Sequence, residues 1–309
     1  MKIEKRLWIT MFVFWLFAIC FSGWIFDQST TREKLFWDNT IQCETKELAE
    51  GEIKSENIAL PEDFDIPRSI LFKTTHTIAE VWLDGEKIYE YGNEADAPDF
   101  MKSPGSCWHI VDIPGDSSGK NLEVRIIPVY EGYKVSLVYG TRGDCILKIL
   151  TDSLGNLVIS CGILFAAVIC LILYCGAAQR KRSDKTEAKI EIFLNLGFFS
   201  LLVAVWTLVQ CGFLQFLIPD GRTLYFVDYF SLFLFPVPFN FMLYDICKSK
   251  YRKGALYLAI LFLLNMAVQV ILQCAGIIDI FLMLPMTHIL MLVTVVYTLM
   301  LIHYEAEKI

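Results

Sequence analysis

The chain is poor in metal ligands and lacks every common catalytic signature. Only four His occur in its 309 residues, and no Cys-x-x-Cys pair or His-containing ligand spacing appears. Structural zinc and haem attachment therefore find no ligand set. There is no nucleophile elbow, phosphate-cradling glycine loop, kinase motif set or zinc-protease helix. Catalysis is not expected of these residues, and no cofactor or metal is. No basic stripe exists to meet phosphates, which argues against nucleic acid as a partner.

Cysteine is plentiful, at ten, yet it lacks the pattern of a disulfide framework. Cys20, Cys161, Cys170, Cys175, Cys211, Cys247 and Cys274 lie in or beside apolar runs, where Cys behaves as a small hydrophobe. Only Cys43, Cys107 and Cys145 fall in a polar region. One pair among them can be bridged outside the cytoplasm, and spacing does not choose which.

Apolar residues dominate what is present. The hydrophobic fraction is 55% and the mean hydropathy +0.48, above the range of ordinary soluble domains. Charge divides along the chain: residues 27–152 hold 24 acidic and 13 basic side chains, and the remainder holds 10 and 14. An acidic module is joined to a mildly basic, apolar one.

Crossing about 30 Å of hydrocarbon takes roughly 20 mostly apolar residues. Six stretches qualify: Leu7–Phe26, Leu154–Ala177, Ile190–Ile218, Leu224–Ile246, Ala255–Ala275 and Ile277–Ile302. The first exceeds the 7–15 apolar residues typical of a signal-peptide core and has only a weak small-residue site after it, so it reads as a retained anchor. Basic residues set the orientation. Lys2, Lys5 and Arg6 precede the first span and place the N-terminus in the cytoplasm. Arg180, Lys181, Arg182, Lys185 and Lys189 then fill one inside loop, and Lys248, Lys250, Arg252 and Lys253 the next. The outside loops hold only Arg222 or no basic residue at all. The expected organisation is an N-terminal transmembrane anchor (1–26), an extracytoplasmic β-sandwich (27–153) and a helical bundle of five spans (154–309) in the plasma membrane.

The β reading rests on short runs rich in Val, Ile, Tyr, Trp and Phe: Ser69–Thr74, Ile78–Leu83, Lys87–Tyr91, Trp108–Ile113, Leu122–Val129 and Val135–Tyr139. Their spacing fits an antiparallel all-β sandwich of jelly-roll type. Asp84-Gly85 between alternating strands predicts a type I′ hairpin, because that turn needs positive φ at both central residues.

Trp37, Leu60-Pro61, Ile70-Leu71-Phe72-Lys73-Thr74 and Val81-Trp82-Leu83-Asp84-Gly85-Glu86-Lys87-Ile88-Tyr89, followed by a multi-helix membrane bundle, form a layout that resembles the bacterial seven-transmembrane receptors with diverse intracellular signalling modules. Members ending in a GGDEF diguanylate cyclase are the most similar in layout. The resemblance implies a carbohydrate-binding-like jelly roll outside and a signalling output inside. Two departures stand out: five spans follow the ectodomain where the family has seven, and no GGDEF sequence precedes the end at His303-Tyr304-Glu305-Ala306-Glu307-Lys308-Ile309. The resemblance thus implies a sensory input half, apparently truncated.

Exposed aromatics on a β-sandwich stack on sugar rings. The pool is Trp82, Tyr89, Tyr91, Trp108, His109, Tyr130 and Tyr133, with core packing as the competing role. Alternation sets Trp82 on the face opposite Val81 and Leu83. The acidic loop Asn93–Asp99 reads as a solvated turn, since its spacing matches no calcium loop. Within the spans, Pro236 and Pro238 predict a kink, and His288 is the deepest ionisable group of the last span, where an interhelical hydrogen bond is its plainest role.

The expected function is a transmembrane sensory receptor. Its expected partners are the bilayer, an extracellular carbohydrate-like small molecule, a cytoplasmic signalling domain and a second copy of the chain as a homodimer. The alternative is a transporter or envelope-assembly subunit with an ectodomain docking module. Paired repeats and polar broken helices at midplane would favour that alternative, and neither is evident in the sequence.

Overall fold

In the computed structural model the residues described are 54–60, 67–93, 97–130, 137–184 and 190–306. The expected anchor, Trp37, Cys43 and Tyr133 lie outside them. The chain divides into two compact units that do not follow chain order. Of the described residues, one comprises 54–60, 67–91, 106–130, 137–159 and 211–217, and the other 92–93, 97–105, 160–184, 190–210 and 218–306.

Among the described residues the first unit holds seven strands: β1 (Lys54–Ala59), β2 (Arg68–Thr75), β3 (Thr77–Leu83), β4 (Glu86–Tyr91), β5 (Ser106–Ile113), β6 (Asn121–Pro128) and β7 (Leu137–Gly140). They form two small antiparallel sheets, ordered β1-β6-β3-β4 and β5-β2-β7. Alternation decides which side chains face inward. In β3 the buried positions are Thr77, Ala79, Val81 and Leu83, with half-exposed residues between them. These meet Ile70 and Phe72 of β2, Val111 and Ile113 of β5, and Leu122, Val124 and Ile126 of β6 in one cluster drawn from both sheets. Phe72, Ala79 and Val81 are fully enclosed, and each large apolar side chain so buried contributes about 1.5–3 kcal/mol.

The turns follow their local chemistry. Asp84 and Gly85 take φ of 48° and 84°, as the expected hairpin requires. Asp84 also accepts a hydrogen bond through Oδ1 from the Asn121 amide at 2.8 Å, tying the turn to β6. His76 makes the one-residue link from β2 to β3 at φ 51°, and its carbonyl accepts from the Val129 amide at 3.0 Å.

Helix α1 (Arg142–Asp184) begins directly after β7 and runs 43 residues without a break. Its start is a reciprocal cap: the Asp144 carboxylate accepts from the Thr141 amide, and the Thr141 hydroxyl accepts from the Asp144 amide. Hydrogen bonds donated by the Thr141 hydroxyl and then by its amide hold the Asp144 carboxyl below its ordinary pKa. Cys145 and Ile149 on its first turns bury against Leu71, Trp108 and Ile110, on the face of the second sheet opposite the core. A 3₁₀ turn, Phe213–Phe216, belongs to the same unit. Its Gln215 Oε1 accepts from the Trp108 amide at 2.7 Å.

The second unit gathers the apolar part of α1 with α2 (Glu191–Gln210), α3 (Gly221–Leu234), α4 (Pro236–Ile246), α5 (Lys253–Cys274) and α6 (Ile280–Ala306). Five stretches among the described residues are long and apolar enough to cross a membrane, α3 and α4 together making one of them. The protein is therefore a multi-pass membrane protein. The stretch Gly221–Ile246 is the most enclosed, with 56% of its most apolar window buried against 11–22% for the others. The remaining helices turn Phe165, Ile172, Leu264, Ile271, Ile289, Leu292 and Leu299 outward, as lipid-facing surfaces do.

Candidate functional site

The six described members of the aromatic and histidine set singled out by sequence, Trp82, Tyr89, Tyr91, Trp108, His109 and Tyr130, do not converge on one surface. Tyr89, Tyr91 and His109 meet inside the β unit. Their strands belong to different sheets, and the inward-facing phase of each brings them together. The Thr74 hydroxyl lies 2.6 Å from His109 Nε2, and the Tyr89 hydroxyl 2.9 Å from Nδ1. Phe72 and Tyr91 pack on the imidazole at centroid distances of 4.8 and 4.6 Å, and Cys107 Sγ is 3.6 Å from Nε2. With both ring nitrogens engaged and 1% of its surface exposed, His109 is a polar node joining the sheets. Burial drives its pKa down to about 3 and raises that of Tyr89 to about 12, with Cys107 adding to the Tyr89 shift. The imidazole is thus neutral at physiological pH, which suits a core hydrogen-bonding group rather than a general base.

Tyr130 is likewise buried and packs edge-on against His76 at 5.5 Å. Trp108 faces the other way and joins the Cys145–Ile149 cluster. The Lys73 ammonium stands 5.6 Å above its ring, and a Cβ at Gly212 would press to 2.9 Å from the indole. Cys107 and Cys145 are both buried, Cys145 within the Leu71–Ile149 cluster, and they are not bridged to each other.

Trp82 is half-exposed on the outer face of the four-stranded sheet. Arg125 from β6 lies 4.5 Å and Lys87 from β4 5.3 Å from its ring centroid. The indole Nε1 donates to Glu80 Oε2 at 3.0 Å. Lys87 bridges Glu80 and Glu90 at 2.9 and 3.2 Å, and Arg125 pairs with Glu123 at 2.8 Å. The hydrogen bonds from Lys87 and Trp82 lower the Glu80 pKa, and the bond from Arg125 lowers that of Glu123. The result is an aromatic plate ringed by hydrogen-bonding charges of both signs.

In the bundle, Pro236 and Pro238 open α4, and Phe235 between α3 and α4 marks the break in the span. Phe199, Trp206 and Phe239 surround that break. Asn240, fully buried, donates to the Pro236 carbonyl at 2.8 Å. His288 faces outward on α6, whereas its neighbour Thr287 is buried and accepts from Asn265 Nδ2 and Gln269 Nε2 of α5 at 2.9 and 3.0 Å. Asn265, Gln269 and Thr287 are thus the interhelical polar contact of this hairpin. Sequence reading passed over them because uncharged polar residues barely lower the hydropathy of a long span. At the opposite end of the hairpin, the Glu305 carboxylate accepts from the amides of Lys248 and Ser249, and Tyr297 donates to the Tyr251 carbonyl.

No group of three or more His, Cys, Asp or Glu among the described residues could hold a metal ion. Comparison with protein-family models, curated proteins and solved structures finds no match to this chain.

Proposed function

We propose that this chain is the input half of a transmembrane sensory receptor. One observation carries the reading: α1 is a single unbroken helix whose first turns are buried under a β-sheet and whose continuation is the most apolar span among the described residues. A rod of 43 residues at 1.5 Å per residue extends about 65 Å, enough to carry a displacement at its start across a bilayer. The fully buried Ile149 gives the sheet a grip on that rod.

In this reading the β unit is a reduced jelly-roll sandwich held outside the cytoplasm. Its strands pass repeatedly between two layers, as in double-sheet Greek-key folds. Trp82 is the ligand contact, because its ring lies on the sheet surface among the charged side chains of Glu80, Lys87 and Arg125. A hydroxylated, sugar-like molecule would lie on the indole and exchange hydrogen bonds with Glu80, Lys87 and Arg125. Binding shifts the population of two bundle arrangements, with the Pro236–Pro238 break as the pivot. Output comes from a cytoplasmic module such as a GGDEF diguanylate cyclase, following residue 309 or on a separate chain.

The test uses the full chain in lipid nanodiscs and a panel of mono- and oligosaccharides, read by calorimetry. Binding that Trp82→Ala weakens at least about tenfold, a loss of 1.4 kcal/mol, supports the reading. Binding that ignores Trp82 removes that residue from the site. Reconstituted vesicles supply the second arm: accumulation of a bound sugar would replace the receptor with a transporter.

A further inference from the structure

The segment entering β5 has a place the proposed receptor path does not use. Residues 97–105 lie between β4 and β5 in sequence, yet they pack in the helical unit. Met101 is 3% exposed and clusters with Tyr225, Tyr229 and Phe233 of α3 and with Ile280 and Met283 of α6, with Phe100 beside it. The Phe100 carbonyl accepts a hydrogen bond from Gln273 Nε2 of α5. Gln273 is 1% exposed and also bonds the Asp279 side chain and the Ile280 amide. Gly105 sits against the carbonyl of Gly221, so closely that a Cβ could not be accommodated, and its φ of 89° excludes other residues independently. Arg222 Nη2 donates to the Asn93 carbonyl at 3.1 Å.

These contacts join the segment to α3, the half-helix before the Pro236 break, and to Gln273 of α5 and Ile280 and Met283 of α6 beside it. Tyr225, Tyr229 and Phe233 recur at four-residue spacing, so they form one stripe along α3, and Met101 covers it. Beyond Phe235 the span continues as α4, which Pro236 and Pro238 leave without two backbone hydrogen bonds. A half-helix followed by so weak a joint can swing unless something holds it.

We infer that residues 97–105 are a latch that holds α3 in its observed position and so restrains the Phe235–Pro236 joint between α3 and α4. The biological use of the latch rests on the receptor reading; its mechanical action does not. Met101 supplies the grip and the Gln273–Phe100 bond its registration. Gly105 allows close approach to the start of α3.

Hydrogen exchange of the full chain in detergent micelles, read by mass spectrometry, tests this. Met101→Ala removes most of the grip, and Met101→Leu keeps its volume. The expected result is exchange in peptides covering 221–246 faster by about tenfold in Met101→Ala, corresponding to 1.4 kcal/mol of lost protection. Met101→Leu stays near the unaltered chain, and β2 and β3 do not change in either. Acceleration confined to residues 97–105 overturns the inference, because the segment would then be a passive connection. Should Met101→Ala fail to fold, Arg222→Lys carries the test: it retains the charge and loses the planar fork that reaches Asn93. A smaller rise over 221–246 supports the latch, and no rise overturns it. Sugar binding and uptake are not read in this experiment, so the latch and the receptor reading can fail separately.

Discussion

Acid should loosen the β unit through one histidine. His109 has a pKa near 3 in the folded chain because burial disfavours its charged form, against about 6.5 when unfolded. Between those values the unfolded chain carries a proton that the folded chain does not, so stability falls as pH falls through the window. Each unit inside it is worth about 1.4 kcal/mol. Taking the pH from 7 to 5 crosses roughly 1.5 units of the window, a loss of about 2 kcal/mol. The groups facing the imidazole are the Thr74 and Tyr89 hydroxyls, the Cys107 thiol and the rings of Phe72 and Tyr91. Tyr89, raised to about 12, stays neutral throughout, so no partner carboxylate offsets the cost.

Pulse proteolysis of the full chain in detergent across a urea series reads the effect. At a urea slope of about 1–2 kcal/mol per molar, the midpoint for the β unit should drop by about 1–2 M between pH 7 and 5. His109→Gln, which retains hydrogen-bonding groups and cannot titrate, should begin less stable and lose almost none of its midpoint over that range. Comparing the two chains cancels every other titrating group. Equal pH dependence in both would refute the buried-imidazole account.

Three further outcomes are expected. Gly85→Ala should cost about 1–2 kcal/mol through backbone strain alone, since a Cβ there meets nothing within 4 Å while φ is 84°; a neutral result in the same urea series would mean the turn has relaxed to another type. Ile149→Ala should cost about 2–5 kcal/mol, whereas Leu147→Ala, two residues earlier and 55% exposed, should cost almost nothing; equal costs would place the start of α1 away from the sheet. A reporter enzyme fused after Ile309 should be active in the cytoplasm, and activity on the other side of the membrane would reverse the proposed orientation.

Local pattern made much of the architecture legible. Each of the six expected β runs overlaps a strand, and the ends that fall among the described residues are shifted by two residues or fewer, because alternation and β-branched content are properties of a few neighbouring residues. Asp84-Gly85 specified its own turn. Strand β1 was missed: Lys54-Ser55-Glu56-Asn57-Ile58-Ala59 has little apolar alternation, and its pairing with β6 alone makes it a strand at the sheet edge. The spans in the bundle were equally readable, since hydropathy over twenty residues needs no partner. The helix containing Leu154–Ala177 nonetheless starts twelve residues earlier, at Arg142, where the contacts that hold it come from distant strands.

Hydropathy and period alone determined that five helices can cross a bilayer and that an acidic β-rich stretch precedes them. Tertiary structure decided which aromatics meet. Tyr89 and His109 are twenty residues apart and on separate sheets, and only the strand order points both inward. Tertiary structure also placed Met101 and Phe100 against α3, Gln269 against Thr287, and His288 on the outer surface. Periodicity reports which residues of one element share a face, whereas the identity of the facing element depends on how the chain closes over long separations, and no short window of sequence contains that information.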